Sequence, residues 1–210
     1  AYRMIREQVI SLELKPGEAF NDMEFAAKIG VSRTPVREAV IQLSEESRII
    51  EIFPQRGMRI APIDVELVEE ARSLRVLLEK QIAGMCCEMA TEEDIKWLQE
   101  NVGLQEFYME NSRPEMVMQL DDEMHHKLFM ICHRELTYGM CQKLAIHYDR
   151  IRSLSVNTVK DNTIIEDHRK IIQFIAEHKK ENAMAQMEKH LSRWQLNEGK
   201  FRQEFPDYFK

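Results

Sequence analysis

Asp121 and His125 stand four residues apart in a stretch whose apolar stripe is Val117, Leu128, Phe129 and Cys132, and both fall on that stripe. His168 sits in the middle of a second stripe, Ile164, Ile165, Ile171, Ile172 and Ile175. His190 is surrounded on a third by Ala183, Met187 and Trp194. One carboxylate and three imidazoles are therefore expected to face inward from three helices. Burying such groups singly is costly unless each finds a partner. One shared cation would satisfy them, since helix bundles build metal sites from side chains on facing helices. A hydrogen-bonded Asp/His cluster without an ion, or a water-filled pocket, would satisfy them too. Three nitrogens and one oxygen suit a divalent metal, Zn²⁺ foremost with Ni²⁺ or Mn²⁺ as options, rather than a thiol-selecting or Ca²⁺ role. Four protein ligands close a tetrahedral zinc site or leave two positions open on an octahedral ion. His126, His133, His147 and His178 lie off these stripes and are expected at the surface or around the cluster.

A second chemistry is carried by Val31-Ser32-Arg33-Thr34-Pro35-Val36-Arg37-Glu38-Ala39. Gly30 suits the left-handed residue that ends a preceding helix. Ser32 or Thr34 can cap the next helix, and Pro35 is tolerated in its first turn. Val36, Ala39, Val40 and Leu43 then form one apolar face, while Arg33 and Arg37, four apart, share another. A helix entered through so short a turn, with arginines near its N-terminus, has the form of a helix-turn-helix recognition helix.

The elements that must position these groups can be read in order. Tyr2 to Leu12 reads as a helix with Ile5, Val9 and Leu12 on one side, Lys15-Pro16-Gly17 as a turn, and Asn21 to Ile29 as a second helix opened by Asn21 and Glu24. The recognition helix runs to about Glu46. Ile49 to Phe53 and Met58 to Ala61 read as two strands around Pro54-Gln55-Arg56-Gly57, a hairpin with a basic tip. Together these make a winged helix-turn-helix over residues 1–63. After the short linker Ala61-Pro62-Ile63-Asp64, residues 64–210 read as helix throughout, with segments near 64–89, 91–112, 114–132, 136–160, 162–178 and 181–204. Thr91 with Asp94 and Pro114 mark two of the starts, and Asn162 and Asn182 precede two apolar runs. The expected fold is mainly α: a winged helix-turn-helix followed by an all-α antiparallel bundle.

The formal net charge of −7 looks wrong for a nucleic-acid binder. Residues 1–63, however, carry nine Lys/Arg against nine Asp/Glu, so all the acidity lies in the bundle. A neutral domain still binds DNA when its arginines cluster on one face. Seven glycines and six prolines are few for 210 residues, which suits a helical chain. The 13 methionines are flexible fillers of irregular cores or pockets. The cysteines, Cys86, Cys87, Cys132 and Cys141, lack zinc-finger spacing. Buried reduced thiols of a cytoplasmic protein are expected. No secretory leader is visible, and no stretch approaches the ~20 apolar residues of a membrane span.

Taken together, these motifs resemble the GntR superfamily of transcription regulators, FadR/FCD subfamily, over nearly the whole chain. The resemblance rests on Leu14-Lys15-Pro16-Gly17, on Gly30 to Ala39 and on Pro54-Gln55-Arg56-Gly57. In the second half it rests on Arg75 and Glu79, on Asp121-Asp122-Glu123-Met124-His125, on Glu166-Asp167-His168 and on His190-Leu191. It implies that Asp121, His125, His168 and His190 ligate a divalent metal beneath a small-ligand pocket. It also implies a homodimer that binds a palindromic double-stranded operator, one half-site per subunit. DNA contacts are expected from Ser32, Arg33, Thr34, Arg37, Gln55, Arg56 and Gly57. A small organic acid is the expected effector, and Arg75, Arg150 and Arg152 are candidates for its carboxylate, since guanidinium forks pair with carboxylates bidentately. Ordinary salt bridges are the alternative for each arginine. Two departures stand out. Glu46-Ser47-Arg48 replaces a glycine common after the recognition helix, and Met124 replaces a usual phenylalanine in the pocket. The acyl-CoA-binding member of the family lacks this metal constellation, which argues against a long-chain acyl effector.

A regulator with a purely structural metal is one alternative. A bundle enzyme activating metal-bound water is another, but no nucleophile motif is present and such an enzyme would not need the arginine-bearing winged helix. The chain is therefore expected not to be an enzyme.

Overall fold

The computed structural model describes residues 1–158 and 163–210, with the side chains of residues 194 and 196 left aside. The chain opens with α1 (Tyr2–Ile10), which buries Ile5 and Val9. Leu12, expected on the same stripe, lies beyond the helix end with φ 64° and packs instead against the apolar cluster that includes Ile63 and Val68. Gly17 takes φ 80°, and its N–H donates to the Ile60 carbonyl at 2.9 Å. The chain then enters β1 (Ala19–Phe20), a two-residue strand that the sequence reading did not foresee. Helix α2 (Asp22–Ile29) is capped by Asn21, whose Oδ1 accepts from the N–H groups of Met23 and Glu24, and it ends on left-handed Gly30.

The recognition helix α3 (Arg33–Ser47) buries Val36, Ala39, Val40 and Leu43. Ser32 occupies its N-cap position, but its hydroxyl makes no capping hydrogen bond. The helix ends on Arg48 at φ 55°, ψ 23°, so an arginine holds the left-handed conformation that glycine adopts most easily. Strands β2 (Ile50–Phe53) and β3 (Gly57–Ile60) form the wing, and β3 pairs antiparallel with both β1 and β2.

Seven helices follow among the described residues: α4 (Val65–Met89), α5 (Glu92–Glu110), α6 (Pro114–Ile131), α7 (Glu135–Thr158), α8 (Thr163–Ala176), α9 (Lys180–Leu191) and α10 (Trp194–Glu204). Thr91 and Asp94 form a reciprocal capping box on α5, as the spacing predicts. The expected last helix, 181–204, is in fact two. Ser192 turns its hydroxyl onto the Glu188 carbonyl at 2.8 Å and accepts from Arg72 Nη1 at 3.0 Å, while Arg193 pairs with Asp167 on α8. A serine bonded back to its own helix competes with continued helix. The part of the expected fourth bundle helix beyond Thr158, and Asn162 as a helix start, lie outside the described residues.

The two halves share a wall. Ile146, on α7, is buried in the same apolar cluster as Ile5, Val36, Leu43 and Ile60. The linker is held on both sides. Arg150 Nη2 donates to the Ala61 carbonyl at 2.6 Å, and the Ile63 N–H donates to the Tyr208 carbonyl at 2.7 Å. No described helix is long and apolar enough to cross a membrane.

Candidate metal centre and DNA-binding face

Helix α6 places Asp121 and His125 one turn apart, α8 contributes His168 and α9 contributes His190, and all four are buried. One potential ligand atom from each lies within 4.8 Å of all the others. His168 Nε2 is 3.2 Å from Asp121 Oδ1 and 3.3 Å from His190 Nε2, and His125 Nε2 is 3.8 Å from Asp121 Oδ2. His125 Nε2 is buried without a hydrogen-bond partner among the described residues. A cation at the centre would satisfy that nitrogen and the facing pair of histidine nitrogens together, so the residues fit a borderline divalent metal.

Outer partners orient the rings. Glu79 on α4 lies against His125 Nδ1, and Gln105 on α5 meets His168 Nδ1 at 2.8 Å. Burial alone would raise the Asp121 pKa. The Arg152 guanidinium, helped by His125 and His168, outweighs burial and holds the carboxyl well below its usual range. Glu79 is treated similarly: burial pushes it up, but Arg75 and His125 bring it down to about 2. Burial lowers His168, partly offset by Asp121, and burial with the neighbouring histidines lowers His190 well below its usual value. His168 and His190 are thus held neutral, the form that ligates metal.

A cavity of about 50 Å³ adjoins the cluster, with Arg75, Tyr148, Arg152, Ser155, His190 and Arg193 in its wall. Arg75 donates to Glu79 Oε1 at 2.5 Å and lies over the Tyr148 ring at 5.1 Å. Arg152 pairs with Asp121 and, at 2.8 Å, with both Asp122 and Asp149.

At the other end, Ser32, Arg33, Thr34 and Arg37 are all exposed at the N-terminal end of α3. Gln55, Arg56 and Gly57 are exposed at the wing tip, where Gln55 takes φ 62° and Gly57 φ 101°. Arg33 Nε donates to Asp22 Oδ2 at 2.9 Å, so the start of the recognition helix is tied to the start of α2.

The model of bacterial regulatory proteins of the gntR family matches residues 1–60, and that of the FCD domain matches residues 70–193. The chain belongs to the gntR family of regulators with an FCD domain. It is similar to the HTH-type transcriptional repressor RspR of Escherichia coli, with 28% identity over 99% of this chain and 91% of that protein. It also resembles the Nta operon transcriptional regulator of Aminobacter aminovorans, with 26% identity over 88% of this chain and 86% of that protein. Among solved structures, E. coli McbR/YncC has the same fold, with a TM-score of 0.80 at 18% identity over 97% of this chain and 96% of that one. This gntR-family chain is accordingly a DNA-binding transcription regulator and not an enzyme. FCD domains are known to bind metals.

Within the FCD domain, Arg75 and Arg152 line the cavity, but Arg150, their companion from sequence, does not. Residues two apart on a helix point about 200° away from each other, and Arg150 is turned to the linker. Burial lowers its pKa to about 10, and its Nε and Nη1 have no hydrogen-bond partner among the described residues. His147, expected at the surface or around the cluster, is buried elsewhere, with Nε2 2.6 Å from the Ser47 carbonyl at the end of the recognition helix. Gln105, Asp149 and Arg193 were not singled out from sequence. Each acts on a partner in another helix or another turn, and no periodicity in its own segment announces that.

Proposed function

We propose that this regulator binds one divalent metal, Zn²⁺ foremost, through Asp121, His125, His168 and His190, and responds to a small carboxylate lodged above it. The observation that carries this reading is the convergence of the four ligand atoms beneath a cavity walled by arginines. The metal would supply a Lewis-acidic anchor for the carboxylate, and Arg75 and Arg152 would orient it. Recognition-helix residues Ser32, Arg33, Thr34 and Arg37 and wing residues Gln55, Arg56 and Gly57 would contact the operator, positioning the protein through phosphates and specifying sequence through base edges. Residues 1–63 would act as the DNA-binding domain and residues 64–210 as the effector domain of a cytoplasmic regulator.

A homodimer on a palindromic operator is supported by an apolar face without a partner among the described residues of the single chain. On α7, Leu136 is 87% and Met140 is 73% exposed, Leu144 continues the stripe one turn later, and Leu77 is exposed on neighbouring α4. Exposed apolar patches of this kind mark interaction surfaces.

A structural metal without an effector is a second reading, favoured by one observation: Arg75 and Arg152 already have carboxylate partners. Operator affinity decides between the two. Genomic fragments selected on the metal-loaded protein would supply the DNA. Small mono- and dicarboxylic acids added at millimolar concentration should change its affinity under the first reading and leave it unchanged under the second.

A further inference from the structure

Behind His168 runs a buried polar chain that begins on a metal-ligand helix and crosses α5. Asn101 Nδ2 donates to the Leu120 carbonyl at 3.1 Å. Gln105 Nε2 donates to Asn101 Oδ1 at 2.7 Å, and Gln105 Oε1 meets His168 Nδ1 at 2.8 Å. Asn101 and Gln105 are one turn apart on α5, and Leu120 immediately precedes Asp121. Gln105 and His168 are both 0% exposed, so bulk water does not substitute for any link.

We propose that this chain, anchored at Leu120, fixes His168 as the Nδ1–H tautomer, and that Gln105 and Asn101 are positioning residues for the metal. The inference rests on the metal reading above for its purpose, but its chemistry stands without an ion. A backbone carbonyl only accepts hydrogen bonds. The Asn101 group facing Leu120 must therefore be its NH₂, which turns Oδ1 toward Gln105. Gln105 must then present NH₂ to Asn101 and its oxygen to the imidazole. An amide oxygen only accepts, so His168 must donate from Nδ1, and the neutral ring carries its lone pair on Nε2. That nitrogen is the one facing Asp121 and His190. Reversing the whole chain would bring two acceptors together at the Leu120 end, and turning over one member alone would set like groups against each other at its own links, in a buried site where an unpaired polar group is costly. The polarity of one carbonyl is thus relayed over three hydrogen bonds to choose which histidine nitrogen meets the cation. Outer partners of this kind orient ligating histidines and raise their basicity.

The test uses the full chain. In chelator-treated, ¹⁵N-labelled protein, long-range proton–nitrogen correlation should show His168 with Nδ1 protonated and Nε2 bare. Gln105→Leu removes the acceptor at similar size and should convert His168 to a mixture or to the Nε2–H tautomer. It should also weaken Zn²⁺ binding, measured by competition with a chromophoric chelator, by about 10- to 100-fold. Gln105→Glu keeps an acceptor toward Nδ1 and, as the protonated acid, donates its O–H to Asn101 Oδ1 in place of the amide NH₂, so it should keep both the tautomer and tight binding. A role in packing alone would leave the tautomer and the affinity at wild type in Gln105→Leu as well. Asn101→Leu, should Gln105→Leu fail to fold, leaves Gln105 free to turn over and should produce the same mixed tautomers. An Nε2–H tautomer in the metal-free wild type would overturn the proposal. So would wild-type tautomer and Zn²⁺ affinity in the Gln105→Leu protein. A wild-type protein that binds no Zn²⁺ would defeat the metal reading instead, while the spectrum of the metal-free protein still decides the tautomer.

Discussion

Arg152 is ion-paired with Asp121, one of the four residues that converge at the candidate metal centre, and the same guanidinium reaches Asp149 on its own helix at 2.8 Å. Asp149 in turn lies 4.0 Å from Arg6 on α1, whose Nη2 also donates to the Gln142 carbonyl at 3.1 Å. A charged path therefore leads from a candidate metal ligand, through α7, to the first helix of the DNA-binding half. A cation arriving at Asp121 would compete with Arg152 for that carboxylate and shift how firmly Arg152 holds Asp149.

Asp149→Asn cuts this path without touching a metal ligand. Operator affinity of the wild type should differ between metal-loaded and stripped protein by a coupling of about 1–3 kcal/mol. In Asp149→Asn that difference should shrink, and Zn²⁺ affinity should fall modestly, because Arg152 released by Asp149 holds Asp121 more tightly. Fluorescence anisotropy on an operator duplex measures the first quantity and chelator competition the second. An undiminished difference would remove this path from the account.

Ile146 tests the shared wall from the apolar side. It is an α7 residue, 1% exposed, within the cluster that includes Ile5 and Leu43. Ile146→Ala should destabilise the protein by about 2–5 kcal/mol, the range for truncating a buried isoleucine. The loss should appear in amide exchange of α1 and α3 as well as in α7. Faster exchange confined to α7 would mean that the two halves do not share this core.

How much of this was legible in the chain depends on the range over which each residue acts. Asp121, His125, His168 and His190 were readable because each breaks the apolar period of its own helix, and that test needs only local sequence. The winged helix was readable because Gly30, Asn21 and the Pro54–Gly57 turn each carry a local backbone requirement. Strand β1 was not, because its two residues are extended only through pairing with β3. The break between α9 and α10 was hidden because it depends on Ser192 and Arg193 engaging Arg72 and Asp167 from other helices. The opposite duties of Arg150 and Arg152 follow from helical geometry, but choosing which one faces the cavity required the position of the linker. Gln105 acts on a residue 63 positions away, and nothing in α5 points to it.

His147 carries a pH dependence separate from the metal. Burial lowers its pKa, the Ser47 carbonyl partly opposes this, and Arg150, Asp64 and Arg48 are the charged groups around it. A histidine with a folded-state pKa below its unfolded value of ~6.5 contributes stability that is fully present above that value. This stability is lost as pH falls from ~6.5 toward the folded pKa, because the unfolded chain takes up the proton first. Thermal unfolding at pH 7.5 and 5.5 should show a smaller acid-induced fall in Tm for His147→Gln than for the wild type. An equal fall would show that His147 is not held neutral by the fold.

At the DNA-binding face, Arg37→Ala should cost about 1–3 kcal/mol and relax preference at one operator position if Arg37 reads a base. Arg56→Ala should weaken binding more evenly across sequences and lower the salt slope by about 1 if the wing tip meets phosphate. Asp22→Asn loosens Arg33 without altering the arginine and should weaken operator binding in the same direction as Arg33→Ala. Footprints unchanged in affinity and preference across all of these variants would contradict the assigned face.

The most direct measurement is of metal content and affinity in the full chain. Protein purified without chelator, analysed by elemental mass spectrometry, should hold close to one divalent ion per chain. Stripping should lower its Tm, and metal at 100 times its Kd should restore about 2.7 kcal/mol of stability. Affinity should weaken on acidification only below the ordinary histidine range of ~6.5, because burial already keeps His168 and His190 neutral. His168→Ala and His190→Ala should each weaken binding, whereas His178→Ala, in the turn after α8, should not. Protein that holds no ion at neutral pH, and whose Tm does not move on adding Zn²⁺, Ni²⁺ or Mn²⁺, would contradict the account and leave the four residues as a hydrogen-bonded pocket floor.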